Sequence, residues 1–125
     1  MKTRLSLILV TAATVTVACG ASFPEPTQRL ADAQGARRSA EEVGATNQPA
    51  SQLYVKLADE EMTKANALIK DGDNRAADRM LVRAKADAEL ALALAHEQNA
   101  KVETQQAIDK ATATTTTNAI QGVQK

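Results

Sequence analysis

Residues 73–110 contain neither proline nor glycine, and the run is dominated by Ala, Leu, Met, Glu, Lys, Arg and Gln. These residue types lose least on entering a helix. The stretch therefore predicts one long helix, which at about 1.5 Å per residue would span on the order of 55 Å. That is longer than a small globular domain needs, so every other element has to be read by how it lies against this rod. A rod of this kind suits a spacer or a docking surface.

The rest of the composition narrows the packing. The chain has 125 residues and a formal net charge of zero, from 15 basic and 15 acidic side chains. Such a balance supplies no bulk field to gather nucleic acid or an acidic substrate. Phe23 and Tyr54 are the sole aromatics, which excludes a stacking platform for bases or sugar rings. Alanine must then do most of the packing. A buried Leu or Met contributes roughly 1.5–3 kcal/mol, whereas Ala offers a single methyl, so stability has to come from long, close helix contacts or from a partner.

The amino terminus reads as an export signal. Lys2 and Arg4 give a positive start, and residues 5–17 form an apolar run too short to span a bilayer permanently. The junction Thr16-Val17-Ala18-Cys19-Gly20 resembles the bacterial lipobox, in which small residues precede a cysteine that is lipidated before the signal, here residues 1–18, is removed. Ala18 and Cys19 fit that pattern, while Thr16 stands where it prefers Leu and Val17 where it prefers Ala or Ser. Cys19 is the one cysteine, so it has no disulfide partner within the chain. The resemblance implies a lipidated Cys19 carrying acyl chains such as palmitate, each contributing about 0.8 kcal/mol per buried methylene, enough in combination for near-permanent anchoring. The alternative is ordinary cleavage after Ala18 and a soluble periplasmic protein. Gly20, in place of the Asp that retains lipoproteins in the inner membrane, implies the outer membrane.

Beyond the junction, the two prolines in residues 19–26 disfavour helix and indicate a tether in which Phe23 either staples the first helix or rests on a membrane. A first helix is expected over about 27–45, with Leu30, Ala33, Ala36, Ala40 and Val43 on one stripe, and with Gly35 either weakening it or marking a close neighbour. Pro49 suits the first turn of a second helix over 49–70, where Val55, Ala58, Met62, Ala65 and Ile69 form a seam widened by Leu53, Leu57 and Leu68. Glu60 and Glu61 precede Lys64 at the spacing of a solvated ion pair. Lys70-Asp71-Gly72-Asp73 reads as stop and restart, forcing an antiparallel hairpin into the third helix, 73–110. There Ala77, Leu81, Ala84, Ala88, Ala91, Ala95 and Val102 follow a heptad-like seam, with Met80, Leu90 and Leu94 on an adjoining face. The threonine-rich run that opens residues 112–125 loses side-chain freedom in a helix, so a flexible tail is expected. The fold class is all-α: an antiparallel hairpin or three-helix bundle, coiled-coil-like, with one long C-terminal helix in a helical domain of residues 27–111.

Four segments, Ala40-Glu41-Glu42-Val43-Gly44-Ala45, Leu57-Ala58 with Ala65, Asp71-Gly72-Asp73 with Ala76-Ala77, and Ala84-Lys85-Ala86-Asp87-Ala88-Glu89-Leu90-Ala91, together resemble an alanine-rich bacterial lipoprotein family with a helical domain of unknown function. Some relatives fuse such a segment to an OmpA-like peptidoglycan-binding domain, which this chain does not carry. The resemblance implies no catalytic residues and no cofactor. Tetratricopeptide pairs share the Gly-Asp turn.

No P-loop, dinucleotide fingerprint or nucleophile with a companion histidine is present, and a thin bundle rarely builds a catalytic pocket, so an enzyme is not expected. His96, the one histidine, shares a face with Glu89 and Glu103, which could hold a weak metal between chains, but an exposed surface role is favoured. Arg37 and Arg38, with Arg75, Arg79 and Arg83 at four-residue steps, could touch lipid headgroups or a wall polymer, though Asp78 and Asp87 nearby favour a mixed solvated surface. The last residue is Lys125, and a C-terminal lysine is the attachment point to peptidoglycan in the major murein lipoprotein, which gives Lys125 a minor hypothesis of its own. The expectation is a lipid-anchored, structural or interaction protein of the outer membrane facing the periplasm, whose partners are the membrane, an envelope protein or peptidoglycan, or a second copy. The alternative is a small tetratricopeptide-like binding module serving as accessory subunit.

Overall fold

The computed structural model describes residues 23–123, with side chains to residue 116. The expected signal, Cys19 and Lys125 lie outside the described residues. Three helices follow in order: α1 (Thr27–Glu42), α2 (Pro49–Lys70) and α3 (Asn74–Val123), with a single 3₁₀ turn at Ala45–Asn47. The chain is all-α, with α2 and α3 forming an antiparallel hairpin and α1 lying chiefly on α3. Of the two architectures the sequence allows, the three-helix bundle is the observed one.

Backbone chemistry sets the boundaries. Gly72 adopts a φ of 80°, and the Asp73 and Gly72 amides donate to the Leu68 and Ile69 carbonyls at 2.9 and 3.0 Å, closing α2 with a Schellman cap. Asp73 then caps α3, its carboxylate accepting from the Ala76 amide at 3.0 Å. Gly44, at φ 83°, ends α1 at Glu42 rather than near residue 45. The helical stripe was readable past that point because Val43 and Ala45 still pack into the core after the backbone has left the helix.

The core is two alanine-lined clusters along α3. One joins Ala33, Met62, Ala65, Ala77, Leu81 and Ala84 near the hairpin turn, and the other joins Ala40, Ala45, Val55, Ala91 and Ala95 near the α1–α2 connection. Ten of the thirteen buried apolar residues are alanine, so helices can pack at the short end of the usual 8–10 Å range without leaving voids. The expected α3 seam is buried from Ala77 through Ala95 and stops there. Val102, placed on it by spacing alone, is exposed because neither α1 nor α2 reaches that far. Leu53 likewise faces outward instead of widening the α2 seam. A Cβ built on Gly35 meets nothing within 4 Å, so this glycine reflects no close approach by another helix.

The third helix also runs past its expected end. It continues through the threonines to Val123, in place of a flexible tail from residue 112. The hydroxyls of Thr112, Thr114, Thr115 and Thr116 each donate to the carbonyl four residues earlier, at 2.9–3.0 Å, so these side chains follow the helical ladder. At about 1.5 Å per residue, the 50 residues of α3 span on the order of 75 Å.

Candidate functional site

The described residues bring no catalytic constellation together, and the polar features arrange themselves along the length of α3. At the hairpin end, Asn74 Nδ2 donates to the Phe23 carbonyl at 2.9 Å and the Arg75 guanidinium lies 5.8 Å over the Phe23 ring. Phe23 thus staples the incoming chain to the start of α3, rather than to α1 as the hydrophobic-staple pattern suggested. The chain entering α1 and the first residues of α3 consequently share one pole.

Two ion pairs tie α1 to its neighbours. Arg29 Nε meets Asp78 of α3 at 3.2 Å. Arg37 grips Asp59 of α2 through both Nε and Nη2 and reaches Glu41 through Nη1 at 2.6 Å. The Asp59 hydrogen bond raises the Arg37 pKa above its ordinary value, opposed chiefly by desolvation and supported further by the charges of Asp59 and Glu41.

At the far end of the bundle, Asn99 acts as a clamp. Its Nδ2 donates to the Val43 carbonyl at 3.1 Å and its Oδ1 accepts from Gln48 Nε2 at 3.0 Å, pinning the α1–α2 connection to α3. The buried Ser51 hydroxyl donates to the Ala45 carbonyl at 2.7 Å within the same connection. Beside this clamp a shallow groove of about 560 Å³, lined by Gln48, Pro49, Leu94, Gln98 and Lys101, opens onto the projecting part of α3. From residue 100 to residue 116 every side chain is exposed.

The residues singled out by spacing take separate paths. Glu61 does not form a solvated pair with Lys64; it is 6% exposed, and its Oε1 meets Arg83 Nη2 of α3 at 2.9 Å. Burial raises its pKa above the ordinary glutamate value against the opposing effect of Arg83, and the carboxylate of Asp87 adds to the rise. Arg75, Arg79 and Arg83 accordingly do not act as one stripe: the first covers Phe23 and the third binds Glu61. His96 is exposed, Glu89 pairs with Lys85 at 3.6 Å, and no group of three metal-ligating side chains converges among the described residues. Glu97 and Lys101 meet at 2.5 Å on the exposed helix, which lowers the Glu97 pKa through the hydrogen bond and charge of Lys101. Among the described residues no helix is long and apolar enough to cross a membrane.

Glu61, Ser51 and Asn99 were not legible as key positions. Glu61 sits one residue before Met62 of the α2 seam, a flank that points into the α2–α3 joint once the hairpin forms. Asn99 carries no signal beyond ending the apolar run on α3.

Comparison with curated proteins and with solved structures yields no match. A family model, described as a domain of unknown function (DUF4398), matches residues 28–107, which hold all of α2, nearly all of α1 and the part of α3 they cover. The remaining turns of α3 lie beyond the match. The two-cluster bundle and the matched residues coincide over well over half of the chain, and the protein therefore belongs to the DUF4398 family.

Proposed function

We propose that this chain is a cell-envelope lipoprotein whose helical domain serves as a periplasmic spacer or scaffold, anchored in the outer membrane through acyl chains on Cys19. The observation that carries the reading is polarity of the rod. The incoming chain is held against the start of α3 by the Asn74 bond and Arg75, while α3 leads about 75 Å away from that pole. A lipid on Cys19, four residues before Phe23, places the bundle next to the membrane and the projecting helix farther into the periplasm. Two acyl chains or more make such anchoring stable. The signal-like start and the lipobox-like junction support the same assignment.

On this reading the exposed face of α3 beyond Asn99 is where an envelope protein, the wall polymer or a second copy would be met. A tetratricopeptide-type module is less well supported, because α3 alone exceeds the roughly 34 residues of a whole such repeat. Mass spectrometry of the mature amino terminus tests the anchor: acylated Cys19 is expected, with Cys19→Ala abolishing membrane recovery, and a bare start after Ala18 would refute it. Photocrosslinking from residue 108 in cells tests the spacer: recovery with wall material supports it, and capture of one stoichiometric protein favours an accessory subunit instead.

A further inference from the structure

Glu61 is the one buried charged side chain among the described residues, and its surroundings are unlike those of a simple ion pair. Oε1 is held by Arg83, whereas Oε2 is buried and has no hydrogen-bond partner. The charged groups acting on it are Arg83 and Asp87 from α3 and Lys64 from its own helix. Asp87 follows Arg83 by one helical turn on the same side of α3, and its carboxylate acts on Glu61. Glu61 is buried while Asp87 is half-buried and Arg83 largely exposed, and two carboxylates that approach at such a joint repel when both are ionised and share a hydrogen bond when one holds a proton. A buried acceptor left without a donor is costly, and a proton on Oε2 removes that cost.

We propose that Glu61, Asp87 and Arg83 form an acid-responsive latch in the α2–α3 hairpin: Glu61 takes up one proton from solvent, donates it as a hydrogen bond to the Asp87 carboxylate, and the hairpin tightens. No other bond is broken. Arg83 keeps its contact with Oε1, and Asp87 keeps its charge. The latch belongs to the bundle and does not depend on lipidation.

The sign distinguishes this from an ordinary salt bridge. A glutamate whose folded pKa lies above its unfolded value destabilises the fold when ionised, so stability rises as pH falls through the folded pKa toward the unfolded one. An ordinary Glu–Arg pair lowers the folded pKa and loses stability over the same change. The experiment is thermal unfolding of the mature chain and of Glu61→Gln at pH values between about 7.5 and 5. The Tm of the unsubstituted chain relative to Glu61→Gln is expected to climb by a few degrees on acidification. A relative Tm that stays flat or falls overturns the latch. Carboxyl-carbon NMR of the unsubstituted chain gives a second readout: Glu61 should titrate above the exposed glutamates and drop toward them in Asp87→Asn. A Glu61 midpoint at or below theirs rejects the proposal even if the variants fail to fold.

Discussion

The two halves of α3 are one continuous helix held by different forces. Over residues 74–99 the helix buries Ala77, Leu81, Ala84, Ala88, Ala91 and Ala95 completely against α1 and α2, and Asn99 clamps the loop that joins them. Beyond it Val102 and Ile108 are 44% and 53% exposed, and the visible support is local, from the Glu97–Lys101 pair and threonine hydroxyls on the ladder. Starting a helix is costly whereas extending one adds a hydrogen bond for each residue fixed, so the outer half draws much of its order from being propagated out of the inner one. A single sequence period can thus serve as core or as surface, depending on whether a second helix lies alongside.

The largest effect should come from the inner half. Leu81 is the bulkiest fully buried side chain, and Leu81→Ala is expected to cost about 2–5 kcal/mol by urea unfolding, whereas Ile108→Ala should stay within about 0.5 kcal/mol. A comparable loss at Ile108 would mean that the outer half is covered in solution, and the contrast would break. Overfilling the seam is the next test: Ala88→Leu should cost about 1–3 kcal/mol, since alanine there is the condition for close approach. Removing the clamp with Asn99→Ala should cost about 1–2 kcal/mol and raise hydrogen exchange across residues 43–48, with little change at residues 77–84.

A further modest effect has the opposite sign. Gly35 lies on α1 in helical conformation with open space where a Cβ would go, so Gly35→Ala should stabilise by about 0.5–1 kcal/mol in the same unfolding assay. Destabilisation would show that α1 is more closely covered than the bundle indicates. Amide exchange along α3 sharpens the comparison directly: protection should fall steeply after Asn99, and uniform protection to residue 116 would point to a partner along the outer half.

Much of this was legible from residue order. The Asp71-Gly72-Asp73 turn, Pro49 at the start of α2 and the α3 seam from Ala77 to Ala95 each rest on local chemistry or on a period that a helix must obey. Three of the misreadings share a cause. Val102, Leu53 and Glu61 were assigned by position on a helical face, and position cannot say whether another helix is present opposite that face. The threonines were read by intrinsic propensity, a weak prior that a long preformed helix overrides.

By itself, the order of residues determined that this protein is made of helices, where the hairpin turns, and that alanine would line the contacts, because caps, glycine geometry and helical spacing act within a few residues of one another. Only the tertiary structure decided that α1 lies on α3, that Asn99 and Ser51 lock the connection, that Glu61 is buried beside Arg83 and Asp87, and where along α3 the covered surface ends. Those outcomes depend on which helix stands across from each side chain, and that is a property of distant segments brought together.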